Sequence, residues 1–199
     1  MHILKTIIAT ATGLSLVACG GGGSDAPSNN ADLQGIWFGQ CEADEDGDST
    51  RDEWNISGNS ATQSAVTYIS ATDCSGPLTV SVNVPATFTV DGMVTDVTGG
   101  PAKHVDVVYS PGNITASSAT ISNLESQGTT LSAIYAAEGI PDINNVSLAD
   151  LGLTQANLYS IYRVSGNQLQ VGDTNDSLDG SSPALRPTSL DASFSLTRQ

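Results

Sequence analysis

From Glu42 to Glu53 the chain reads EADEDGDSTRDE, and Glu42, Asp44, Glu45, Asp46, Asp48, Asp52 and Glu53 bring carboxylates into one short stretch. Carboxylates this dense have two uses. They can gather around a hard cation such as calcium, which takes six to eight oxygens, or they can face water as a solvated charge run. Nucleophilic chemistry has little to work with. The two histidines are His2 and His104, so a Ser-His-Asp triad would rest on His104, beside Lys103, with no Gly-x-Ser-x-Gly turn in the chain. Carboxylate pairs for glycoside hydrolysis stay open because acids are abundant. Zinc and dithiol chemistry are disfavoured because the three cysteines, Cys19, Cys41 and Cys74, form no C-x-x-C pair.

Within the acidic run, Asp44, Asp46, Asp48 and Asp52, with Thr50 between the last two, resemble the start of an EF-hand-type calcium loop. The departures are Ser49 where that loop has glycine and Asn55 where it closes on glutamate. The resemblance implies at most a weak calcium site, and no other cofactor is indicated.

Residues 1–18 read as an export signal. Lys5 supplies the charge, and an apolar stretch from Ile7 to Val17 is too short to remain as a spanning helix. It ends in Leu16-Val17-Ala18-Cys19, which resembles the bacterial lipobox. That resemblance implies acylation of Cys19 and anchoring by several acyl chains, since one chain holds a protein only marginally. Residues 19–31 then read as the lipidated cysteine and a flexible Gly/Ser tether. Gly20 follows Cys19, and by the same resemblance the missing aspartate favours the outer membrane, with the protein facing the periplasm or the cell surface. With Cys19 acylated, Cys41 and Cys74 remain as an even pair in an oxidising compartment, so a disulfide is expected.

The chain carries 21 acidic against 6 basic residues and a net charge of −15. Phosphate binding needs clustered Lys and Arg, so nucleic acid is excluded as a partner. Membrane contact is expected through the lipid alone. Residues 32–199 form one domain of ordinary size.

Its apolar period is mostly two. Strands are expected over Leu33–Cys41, Glu53–Ser57, Thr62–Asp73 and Leu78–Val84. Thr87–Val90 and Met93–Val97 should form a hairpin at Asp91-Gly92. Further strands are expected over His104–Ser110, Ile114–Ser122, Leu131–Ala137, Leu158–Val164, Gln168–Gly172 and Ala192–Thr197. Ser147-Leu148-Ala149-Asp150 looks like a capping box opening one short helix, and Asn175–Pro187 reads as a polar loop. Short strands with frequent turns define an all-β antiparallel barrel of about 8–10 strands, with a β-sandwich as the alternative.

Gly35-Ile36-Trp37, with Cys41 soon after, resembles the opening G-x-W strand of lipocalin-like (calycin) barrels. The later Leu158-Tyr159, Ile161-Tyr162, Leu169, Val171-Gly172-Asp173, Arg186-Pro187 and Leu190-Asp191 pattern resembles bacterial lipoproteins of that shape. The resemblance implies an up-and-down barrel whose floor is closed by Trp37 under a basic residue, Arg186 or Arg198. It implies a binding or interaction module, taking a small apolar ligand. A carboxylate-based hydrolase and a purely structural envelope component are the alternatives.

Overall fold

A computed structural model describes residues 30–199 except Thr154 and Asp176. The signal, Cys19 and nearly all of the tether lie outside the described residues.

The domain is an all-β antiparallel barrel. Its strands are β1 (Gly35–Phe38), β2 (Glu42–Ala43), β3 (Ser49–Ser57), β4 (Ser60–Tyr68), β5 (Thr79–Thr95), β6 (Pro101–Tyr109), β7 (Asn113–Ala116), β8 (Asn157–Ser165), β9 (Gln168–Gly172) and β10 (Leu190–Arg198). Eight of them close a ring in chain order, β1-β3-β4-β5-β6-β8-β9-β10, with β1 bonded to both β3 and β10. Each ring strand pairs with its successor, which is the up-and-down arrangement. Closure leaves the ring without unpaired edges. The short β2 pairs with β3, and β7 pairs with β5.

Because direction alternates round the ring, the connections divide between two ends. At one end lie the chain entry (30–34) and the turns 58–59, 96–100 and 166–167. At the other lie the longer connections 39–48, 69–78, 110–156 and 173–189. The first end is the floor. Its core joins Leu33, Trp37, Ile56, Phe88, Val105, Tyr162, Leu169 and Leu196, and Trp37, Leu169 and Leu196 are wholly buried.

In β5, Val80, Val82, Val84, Ala86 and Phe88 are all buried on one face. Phe88 belongs to the floor core, whereas Val80 and Val82 pack with Ile114, Tyr135 and Val146 of the 110–156 insertion. The strand therefore overshoots the ring, and the insertion covers the overshoot. Pro85 fits inside this long strand because it falls between the stretch bonded to β7 (Val80–Asn83) and the stretch bonded to β6 (Ala86–Thr95), a break that tolerates a residue without an N–H.

Four expectations are corrected. Asp91-Gly92 is not a hairpin turn but a bulge within β5, where the register with β6 shifts. The turn comes at Asp96–Gly100, where the Asp96 carboxylate accepts from the N–H groups of Thr98 and Gly100 and from the Thr98 hydroxyl. Leu131–Ala137 is a helix, α2, after α1 over Ser118–Ser126. The Ser117 and Thr130 hydroxyls cap the two helices, and a short apolar run alone does not separate helix from strand. The stretch expected as Ile114–Ser122 accordingly splits into β7 and α1. The Ser147–Asp150 capping box forms, with Asp150 N–H donating to Ser147 Oγ and Ser147 N–H and Oγ–H donating to Asp150 Oδ2. It holds a single turn, ended by Gly152 at φ +72°, and not a helix.

Candidate functional site: the barrel cavity and its floor

Above the floor the barrel encloses a cavity of about 240 Å³. Its walls are mainly apolar, set by Trp54, Ile56, Phe88, Val107, Leu158 and Val171, which alternate with outward residues along their strands. The polar lining is sparse. Gln63 stands beside the Tyr109 hydroxyl, and burial pushes that phenol up to about 12, so it stays neutral. Ser160 lines the wall, and Thr174 and Asp191 stand at the rim. The Ser193 hydroxyl, with the N–H groups of Ser193 and Phe194, holds the Asp191 carboxyl below its usual range. The rim therefore carries a fixed negative charge, which disfavours an anionic occupant and leaves the apolar body to neutral ones.

Beneath the cavity, Trp37 Nε1 donates to the Leu33 carbonyl at 2.7 Å. The Arg198 guanidinium lies 4.4 Å from the Trp37 ring centroid and donates to the Asp32 carbonyl. Asp32 joins the floor to the opposite wall, accepting from Lys103 Nζ at 3.0 Å and from the Tyr162 hydroxyl at 3.2 Å. Burial, with the Asp32 charge, pushes the Tyr162 phenol far above its usual range.

Arg198, and not Arg186, is thus the basic residue over Trp37. Arg186 sits on the outer face of the wall, donating to the Val105 and Ser160 carbonyls and to Asp106 at 2.6 Å, over the Tyr159 ring. It pins the 173–189 connection across β6 and β8. Register explains the difference, since Arg198 is the direct cross-strand partner of Trp37 at the seam that closes the barrel.

The acidic stretch is divided by the fold. Asp44 Oδ1 accepts the N–H groups of Asp46 and Asp48, and Asp48 Oδ1 accepts the Ser70 N–H. The Thr50 hydroxyl meets Thr67 within the wall. Asp52 enters a separate recess of about 260 Å³ with Glu42, Thr50, Ser193 and Ser195. There, burial and then the Glu42 charge push its carboxyl up. Among the described residues, no three carboxylate, imidazole or thiol groups gather in a way that could hold a metal ion. His104 faces Arg186, Asp106 and Asp91, and burial holds its imidazole below its usual range. Cys41 and Cys74 form a disulfide, joining the segment after β1 to the β4–β5 connection.

Asp32, Lys103 and Tyr162 escaped sequence reasoning. Lys103 and Tyr162 share strand faces with the cavity-lining Val105, Val107, Leu158 and Ser160, but Asp32 precedes β1, and nothing in the spacing of the three shows that they meet beneath Trp37. What fold and site together define is an up-and-down barrel with a closed floor and a small apolar interior. No family model matches the chain, and no curated protein matches it.

Proposed function

We propose that this is a lipid-anchored module of the bacterial cell envelope, acylated at Cys19 and facing the periplasm or cell surface from the outer membrane, whose barrel takes a small, uncharged, mainly apolar ligand. One observation carries the ligand reading: an apolar cavity of about 240 Å³ over the Trp37 floor. An engineered cavity of about 150 Å³ accepts benzene, so by proportion this one suits about ten non-hydrogen atoms. Full-length acyl chains and multi-ring cofactors are too large. The test is titration with 1-naphthylamine, whose emission rises and shifts blue in apolar surroundings, on wild type and on Ala61→Leu, which fills the cavity wall. Saturable binding that weakens at least tenfold in a variant melting at or above wild type supports the reading. Absence of saturable binding, or binding indifferent to Ala61→Leu, removes it. Intact-mass measurement on membrane-extracted protein tests the anchor.

A second reading, a carboxylate-based hydrolase, has one observation in its favour: the half-buried Asp52 beside Glu42 in a polar recess. Glycoside or ester turnover abolished by Asp52→Asn and Glu42→Gln alike would establish it.

A further inference from the structure

Below its rim, the cavity wall carries hydrogen-bonding side chains at two places, and the fold sets them apart. The first is on β8. Ser160 lines the cavity and is 5% exposed. Its hydroxyl reaches the Ile161 carbonyl at 3.4 Å, longer than an ordinary O–H···O bond. A hydroxyl offers one donor and two acceptor sites, so this one keeps most of its capacity. Gly172 leaves it room, because a Cβ at that position would fall 2.7 Å from Ser160 Oγ. Gly172 also lines the cavity, and it pairs with Leu190, next to the rim residue Asp191.

The second place joins β4 to the end of β6. Gln63 stands beside the Tyr109 hydroxyl, and both residues line the cavity. An amide has two donor and two acceptor sites, and a phenol both donates and accepts. One contact between them leaves each able to meet a third group.

The cross-strand partner of Ser160 is Val105. Tyr109 lies four residues further along β6, about 13 Å by strand rise. The apolar pair Val107 and Leu158 fills the level between. Gln63 is three strands away from Ser160 round the ring. A wholly apolar occupant would dry both polar places and satisfy neither, and sites built this way reject analogues that lack the matching groups.

We infer that the occupant is a neutral single-ring molecule with a hydrogen-bonding group at each end, one meeting Ser160 and the other meeting Tyr109 and Gln63, as in a para-acylated phenol. This rests on the apolar-cavity reading above and narrows it. Such a molecule matches the roughly ten non-hydrogen atoms that the cavity volume suits.

The experiment displaces 1-naphthylamine from the full-length protein at about pH 6, where phenols are neutral. The competitors are 4-hydroxyacetophenone and p-cymene, which has the same outline with a methyl group in place of each oxygen. Wild type, Ser160→Ala and Tyr109→Phe are compared, and p-cymene reports whether the cavity survives in each variant. Each variant should weaken 4-hydroxyacetophenone by about fivefold or more, the size of one neutral hydrogen bond, and weaken p-cymene by less than about twofold. Four outcomes overturn the two-ended ligand: equal weakening of both competitors, no effect of either variant, an effect of one variant alone, or failure of 4-hydroxyacetophenone to displace the probe. In each of these the apolar-cavity reading still stands if 1-naphthylamine binding responds to Ala61→Leu. Absence of saturable 1-naphthylamine binding overturns both together.

Discussion

Arg198 lies over the indole of Trp37, 4.4 Å from the ring centroid, and is its direct partner across the strand pair that closes the barrel. One residue thus joins the seam, the floor and, through the Asp32 carbonyl, the chain entry. A desolvated cation–π contact is worth about 2 kcal/mol, and a hydrogen bond from a charged group about 1.5–3 kcal/mol. Arg198→Ala should therefore destabilise by about 2–4 kcal/mol in urea unfolding, and Trp37→Ala by about 3–5 kcal/mol. Arg198→Ala should also change the near-ultraviolet circular dichroism of Trp37. Arg186→Ala should leave that signal intact, because its contacts are on the outer wall. A larger spectral change in the Arg186 variant would reverse this assignment of the floor.

Asp52 gives a pH dependence of definite sign. Burial, reinforced by Glu42, raises its folded pKa above the ordinary 3.8, so the native state binds the proton more tightly than the unfolded chain. Stability is then lost as pH rises from about 3.8 through the raised value. Asp96, Asp179 and Asp191 act in the opposite sense. Side-chain and backbone hydrogen bonds hold each one low, so their contribution is present above the ordinary value and is lost as pH falls below it. Asp52→Asn should raise the melting temperature at pH 7 and leave it nearly unchanged at pH 3, where Asp52 is protonated in both states. Equal shifts at both pH values would show that the residue acts through packing and not through charge.

Much of the barrel was legible because its strands carry the period of two so cleanly. Leu158–Val164 and Gln168–Gly172 are paired through a two-residue turn, close to where the alternation and Ser165-Gly166-Asn167 put them. The Gly35-Ile36-Trp37 opening was legible as a floor. Asp91-Gly92 misled because a turn-forming pair also suits a bulge, and only the pairing of β5 with β6 on both sides of it separates the two. Leu131–Ala137 misled because its one deeply buried side chain, Tyr135, packs on the overshoot of β5, a tertiary contact with no local signature. The floor network was hidden for a related reason. Asp32, Lys103 and Tyr162 are far apart in the chain and meet only when the ring closes.

The Cys41–Cys74 disulfide braces a loop with a second support. Ser49, almost wholly buried, donates to the Ala71 carbonyl at 2.6 Å and accepts from the Cys74 N–H at 2.9 Å. Replacing both cysteines with Ala should cost about 2–4 kcal/mol, mainly through the unfolded chain. Ser49→Ala, with the disulfide intact, should cost about 1–3 kcal/mol by orphaning two buried backbone groups. Non-reducing peptide maps together with urea melts of the two variants measure both. Free thiols at Cys41 and Cys74 in protein isolated from its native cells would exclude the disulfide there.

Calcium offers the last discrimination. A site with Kd of about 10⁻⁴–10⁻³ M, as in extracellular modules, would stabilise by about 0.4–1.4 kcal/mol at 1 mM calcium, or roughly 1–6 °C for a domain of this size. The fold commits Asp44 Oδ1 to two backbone N–H groups and Asp48 Oδ1 to a third, and it places Asp52 in the recess with Glu42. Asp52 thus stands in a different recess from the Asp44–Asp48 turn, and among the described residues no three carboxylate, imidazole or thiol groups gather as metal ligands. A net charge of −15 still makes the protein sensitive to screening, which acts through ionic strength and not through ion identity. Calcium chloride, magnesium chloride and sodium chloride at matched ionic strength should raise the melting temperature equally, and Asp46→Asn with Asp48→Asn should shrink all three shifts together. A calcium shift exceeding the sodium shift by several degrees, and lost in that double variant, would mean that the loop rearranges to bring its oxygens around the ion.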